Sequence, residues 1–129
     1  MYKIWHPSKS VILTKKIGKG TTIHAPVWLG KDVTIGQNVK VQAFAFVPDG
    51  VSIADNVFIG PHVCLTNDKH PPSGKWEKTV VEEGASICAR AVILPGITIG
   101  RHSIIGAGSV VTKDVPAGET WVGNPAHKI

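Results

Sequence analysis

The sequence is poor in cysteine, methionine and aromatic residues: it has 2 cysteines, 1 methionine and 6% aromatic side chains. Cys64 and Cys88 form no C-x-x-C pair and have no ligand-spaced partners, so a disulfide framework and a metal site are not expected and free thiols are. Long apolar runs are also missing. Stretches such as Phe44 to Val47 fall far short of the roughly 20 residues of a membrane helix, so membrane insertion is not expected. The start, Met1 to Pro7, lacks a charged-then-apolar signal pattern, and the expected location is cytoplasmic. Nor is there a basic stripe. The 14 Lys and Arg against 9 Asp and Glu give +5, but the basic residues are scattered and not interleaved with aromatics. That distribution argues against a nucleic-acid surface and suits a small polyanion such as a nucleotide or coenzyme. At 129 residues the chain, 1–129, reads as a single domain with a core of its own.

What the sequence does have is a period. Every sixth residue from Val11 is aliphatic: Val11, Ile17, Ile23, Leu29, Ile35, Val41, Val47, Ile53, Ile59, Leu65. The pattern restarts at Val81 and continues through Ile87, Ile93, Ile99, Ile105 and Val111. The following residue is often Gly (Gly18, Gly30, Gly36, Gly60, Gly100, Gly106), and the residue two before each aliphatic is usually small or β-branched. A helix would repeat its apolar face at 3.6 residues, so period six excludes it. Short strands that turn a corner every six residues satisfy it, with the aliphatic residue and the one two before it pointing inward. Three hexapeptides close a triangular coil, and the repeats make five to six coils stacked about 4.8 Å apart in parallel. No capping helix is legible after Val115, so the prism is expected to bury one face against identical copies. Trp5-His6-Pro7, ahead of the repeat, is expected to plug the first coil.

Between Leu65 and Val81 the period breaks. The insertion, about 66–80, is polar, contains Pro71-Pro72 and Ser73-Gly74, and cannot continue the strands. A loop of this length leaving a rigid solenoid, dense in Asn, Asp, His and Trp, reads as a functional arm.

The segment Val57-Phe58-Ile59-Gly60-Pro61-His62-Val63-Cys64-Leu65-Thr66-Asn67-Asp68-Lys69-His70-Pro71 resembles the signature of the nucleotide-sugar N-acetyltransferases, V-F-I-G-P-x-V-x-x-T-N-D-x-x-P. A second block, Thr79 to Gly100, is similar too. A third, Gly106 to Pro116 with Gly123-Asn124-Pro125-Ala126, is shared by hexapeptide acyltransferases generally. Ile87-Cys88-Ala89-Arg90-Ala91 departs from the family's I-G-A-N-A, and Ile23-His24-Ala25-Pro26 from its I-W-x-F. The resemblance implies a left-handed parallel β-helix assembled as a homotrimer. It also implies acetyl transfer from acetyl-CoA to the amino group of a dTDP- or UDP-linked amino sugar, in surface-polysaccharide precursor synthesis, with no metal.

On that reading Asn67 orients the acceptor amine, and Asp68 holds a sugar hydroxyl or draws off the proton. An amine needs positioning more than a base, whereas a hydroxyl acceptor needs one, and His70 is the natural candidate. His24 and Trp76 are expected at the substrate. Ala89 and Ala107, 18 residues apart, would line a shallow groove for the pantetheine arm. Arg101, Lys113, Asn124 and Pro125 suit the coenzyme's phosphates and adenine. His62 and His102 read as surface residues. The alternatives are an O-acetyltransferase using His70, a γ-carbonic-anhydrase-like metalloenzyme on the same prism, and a non-catalytic scaffold. The metalloenzyme needs three converging histidines, and the nearest pair here, His62 and His70, is out of register with any third.

Overall fold

A computed structural model describes residues 1–5 and 10–129, with the backbone alone at Trp5. Among the described residues every regular element is a strand, and no helix is long and apolar enough to cross a membrane. The strands form three parallel sheets, the faces of a left-handed β-helix of about 6 turns. The first face stacks β1 (Lys3–Trp5), β4 (Thr22–His24), β7 (Lys40–Val41), β10 (Phe58–Ile59), β13 (Ser86–Ile87), β16 (Ile104–Ile105) and β18 (Thr120–Gly123), with β19 (Ala126–Lys128) antiparallel on the last. The second stacks β2 (Val11–Ile12), β5 (Trp28–Leu29), β8 (Phe46–Val47), β11 (Cys64–Leu65), β14 (Val92–Ile93) and β17 (Val110–Val111). The third stacks β3 (Lys16–Ile17), β6 (Thr34–Ile35), β9 (Val51–Ile53), β12 (Thr79–Val81) and β15 (Thr98–Ile99).

The period builds this core directly. On the first face Ile23, Val41, Ile59, Ile87 and Ile105 lie register on register, and all are fully buried. Each such side chain contributes about 1.5–3 kcal/mol of burial. The positions two before them, such as Val39, Val57, Ala85 and Ser103, are buried as well. They fill the inside of each corner while the backbone pairs coil to coil.

Three sequence expectations change in detail. Val11 is not an inward residue: it is 40% exposed, and Ile12 pairs with Leu29 in its place. Thr14 takes the inward position below Val33, to whose carbonyl its hydroxyl donates, so the opening coil is out of step by a residue. The ejected loop is shorter than 66–80, because Thr79 and Val80 already belong to β12. The prism is not bare at its far end. β18 and β19 form a hairpin that buries Ala126 and lays Trp121 against the core, a cap made of strand, not helix. The suggested Trp5-His6-Pro7 plug lies outside the described residues.

The glycine after the inward aliphatic is required by the coil above it. A Cβ on Gly60 would lie 2.8 Å from the Ala89 nitrogen and 2.9 Å from the Cys88 carbonyl carbon, both backbone atoms that cannot give way. Gly60→Ala is therefore expected to destabilise the protein by about 1–3 kcal/mol, the usual cost of overpacking. An unchanged urea midpoint would contradict this.

Candidate functional site

The loop leaves the prism at the corner between the second and third faces, and its neck is held tightly. The Thr79 hydroxyl donates to the Thr66 carbonyl at 2.9 Å and accepts from the Gly96 N–H at 3.1 Å. The Glu77 N–H donates to the Asn67 carbonyl at 2.7 Å, and Asp68 and Trp76 form an antiparallel bridge. The loop is thus a short pinned hairpin, not a slack insertion.

Asn67 and Asp68 stand on opposite sides of it. The Asn67 side-chain N–H donates to the Asp49 carbonyl at 2.8 Å, and Asn67 lines a cleft of about 240 Å³ with Leu13, Trp28, Gly30, Phe46, Pro48, Asp49 and Trp76. Its walls are aromatic: Trp28 and Phe46 stack with centroids 6.2 Å apart, and Trp76 comes from the loop, 59% exposed. The amide oxygen of Asn67 keeps its capacity to accept a hydrogen bond. Asp68 lies toward the other side, in a cleft of about 390 Å³ with Thr66, Lys69, Glu77, Leu94, Pro95, Gly96, Ile97 and Thr112.

The Asp68 carboxylate is taken up by its own loop. It accepts from the Ser73 hydroxyl at 2.6 Å, the Ser73 N–H at 2.8 Å and the His70 N–H at 3.1 Å. The Ser73 hydroxyl above all, then the Ser73 N–H, holds its pKa below the ordinary carboxylate value. Such a group is a poor proton acceptor at neutral pH, and its geometry makes it the organiser of the loop tip on which His70 sits exposed. Cys64, on the outward row of the second face, has its thiol pKa pushed up by burial.

The remaining candidates fall on three different corners. Ala89 and Ala107 stack as expected, with the Gly108 N–H donating to the Ala89 carbonyl at 2.8 Å. They lie between the first and second faces, where Asn124 and Pro125 are also found. His24, half-buried, ends β4 at the N-terminal end of that corner. Lys113 lies on the loop's corner, between the second and third faces. Arg101 lies on the third corner, paired with Glu83 at 2.9 Å. One chain therefore does not gather Asn67, Ala107 and Arg101 into one site. Among the described residues no group of three His, Cys, Asp or Glu side chains comes together as a metal site would require. Sequence reasoning missed Trp28 and Phe46. Their signal was the outward residue before each aliphatic, read along one face: Val11, Trp28, Phe46, Cys64, Val92 and Val110 stack in register, an apolar row on a solvent side.

Comparison with known proteins gives a consistent picture. The model of the family described as bacterial transferase hexapeptide (six repeats) matches residues 32–67 and 78–113. The chain is 34% identical over 125 residues to the galactoside O-acetyltransferase of Escherichia coli K12, covering 88% of this chain and 62% of that one. Its fold is similar to the GDP-perosamine N-acetyltransferase of Caulobacter crescentus in complex with CoA and GDP-perosamine, with a TM-score of 0.82 and 27% identity over 93% of this chain and 53% of that one. It is also similar to the acetyltransferase domain of PglB from Neisseria gonorrhoeae in complex with acetyl coenzyme A, with a TM-score of 0.78 and 25% identity over 99% and 54%. The chain thus spans between half and two thirds of these relatives.

The Asp68 hydrogen bonds make a pH prediction. A carboxylate with a lowered pKa stabilises the loop fully above its ordinary pKa of 3.8, and that support is lost as pH falls through the lowered value. The Ser73 and His70 amide resonances should therefore titrate with a midpoint below 3.8, and Asp68→Asn should abolish the titration. A midpoint at or above the ordinary value would contradict the assignment.

Proposed function

The chain belongs to the bacterial transferase hexapeptide family, and from that premise we propose that it transfers an acetyl group from acetyl-CoA to the amino group of a nucleotide-linked amino sugar. The observation that carries this reading is the cleft at the loop. A fixed amide, Asn67, borders a space walled by three aromatic rings, the surroundings that hold a sugar ring by its apolar faces and a polar substituent by one directed hydrogen bond. The N-acetyltransferase neighbour bound to CoA and GDP-perosamine supports the substrate class.

The assembly follows from the apolar row. A solvent side carrying Trp28, Phe46, Cys64, Val92 and Val110 calls for burial, and packing that face around a three-fold axis makes a closed ring. The two edges of the second face are then neighbours in adjacent subunits. The edge with the loop and Lys113 of one protomer meets the edge with Ala89, Ala107 and Asn124-Pro125 of the next. The site is in this reading composite, and the scatter of its residues over the corners of one chain has a reason.

In this site the coenzyme supplies the acetyl thioester. Ala89 and Ala107, small and stacked, leave the corner shallow enough for a pantetheine arm to run beside backbone amides. Asn67 accepts a hydrogen bond from the acceptor amine and orients its lone pair toward the thioester carbon. An amine reacts as the neutral base, so its excess proton passes to solvent or to the departing thiolate, and no strong protein base is needed. Asp68 shapes the loop tip.

A second reading, O-acetyl transfer with His70 as base, is favoured by two observations: His70 is exposed at the loop tip, and the galactoside relative is an O-acetyltransferase. Thiol release across dTDP-, UDP- and GDP-linked amino sugars, and across neutral sugars, tests the substrate. On the best acceptor, Asn67→Ala should lower turnover by about 10²–10³-fold, the loss of one transition-state hydrogen bond. His70→Ala should cost less. If His70→Ala is inactive and Asn67→Ala is near wild type, the hydroxyl reading replaces the amine one.

A further inference from the structure

Each corner of the prism repeats a left-handed backbone position. Between the third and first faces these positions are Gly20, Asn38, Asn56, Gly84, His102 and Gly118, residue types that take a positive φ with little or moderate cost. Between the first and second faces they are Phe44, His62, Arg90 and Gly108, at φ 67°, 60°, 63° and 70°. A bulky phenylalanine is a true outlier in this region, and arginine has no side-chain reason to be there. Two uncommon residues flank a histidine on one corner, while the equivalent corner uses only permissive types. Strained residues of this kind concentrate at ligand sites.

The backbone places them in a column. The His62 N–H donates to the Ala43 carbonyl at 3.1 Å, and the Arg90 N–H to the Pro61 carbonyl at 2.9 Å. The Phe44 ring stacks on the His62 imidazole, centroids 4.7 Å apart and planes 19° from parallel. Phe44 is nonetheless 56% exposed, so burial does not account for it. A groove of about 230 Å³ opens beside it, lined by Pro26, Val27, Trp28, Phe44, Ala45 and Phe46. One coil beyond His62, and two beyond Phe44, the exposed Arg90 guanidinium has no ion pair among the described residues.

We propose that Phe44, His62 and Arg90 form the subsite for the nucleotide of the acceptor: the nucleobase stacks on Phe44, and Arg90 takes the diphosphate. An open aromatic face with a free guanidinium two coils away on the same corner, about 10 Å at the usual strand spacing, matches a flat ring carrying an anionic tail. The coenzyme also contains such a group, and position decides between them. The ring is what position assigns: Phe44 belongs to the same coil as Asp49, to which Asn67 is tied, two coils from Ala89 where the pantetheine groove begins, whereas Arg90 follows Ala89 directly and stands where the two ligands adjoin. The inference rests on the acceptor class proposed above.

The test is calorimetry on the full chain with dTDP, UDP, GDP, ADP, the corresponding bare nucleosides and CoA offered separately, alongside melting temperature and mass in solution. Wild type should bind at least one of dTDP, UDP and GDP. Phe44→Asn should weaken that binding about tenfold or more, and Arg90→Asn should weaken the diphosphate while affecting the bare nucleoside less. In Phe44→Asn CoA affinity should stay within about twofold, and the melting temperature should hold or rise as the strain is removed. Undiminished nucleotide affinity in Phe44→Asn overturns the subsite. Weakened CoA with unchanged nucleotide affinity overturns it by assigning the ring to the coenzyme, and loss of the oligomer overturns it by assigning Phe44 to the interface. Wild type that releases thiol from acetyl-CoA yet binds none of these nucleotides refutes the subsite and leaves acetyl transfer standing. Nucleotide binding without CoA binding does the reverse.

Discussion

The structure depends on the register of one coil on the next. Each hexapeptide must bury an aliphatic residue directly under its counterpart in the following coil, and the backbone must turn a corner before the next. Ile23, Val41, Ile59, Ile87 and Ile105 show the result, a column in which each side chain closes the space above the last. Because pairing is continuous, a disturbance in one coil is passed to its neighbours. Corners then inherit fixed positions, and whatever residue falls on a corner is held at a known height on the prism. The loop keeps this order by leaving and returning through Thr66 and Thr79, which bond to each other across the neck. A polar arm is thereby added without shifting the coils on either side.

This explains how much was legible. Period six named the inward residues from Ile17 onward, located the insertion and gave the number of coils, because an unbroken column leaves no freedom in those choices. It failed at Val11, where an aliphatic residue continued the pattern by coincidence while Ile12 and Thr14 faced inward. The closing hairpin was hidden because its core-facing members, the half-buried Trp121 and the buried Ala126, belong to a non-repeating segment with no period to reveal them. The site was legible only in part. Asn67 and Asp68 stood out as a polar pair in the loop, but alternation of side chains sent them into different clefts. Asp68 turned inward on Ser73, a local hydrogen bond that no spacing rule anticipates. The aromatic wall of Trp28 and Phe46 was visible only to a reading at eighteen residues, since successive hexapeptides belong to different faces.

The same geometry explains why one chain carries a dispersed site. Three faces can share a core, but residues on two corners of a face cannot meet within one prism. In the proposed trimer they meet, as the apolar second face packs against its copies and neighbouring edges come together. On that proposal the loop with Asn67 and the groove with Ala107 come from different protomers, and stability, assembly and chemistry rest on the same face.

That composite arrangement is tested most directly by mixing defects. Asn67→Ala damages the loop edge and Ala107→Trp blocks the groove edge, so trimers of either variant alone should release little thiol. Co-expressed in equal amounts, the two variants should recover about a quarter of wild-type activity, because one site in four joins an intact loop to an intact groove from the neighbouring chain. Mixed trimers that remain as inactive as the parents would contradict the account, and place both residues in a site within one chain.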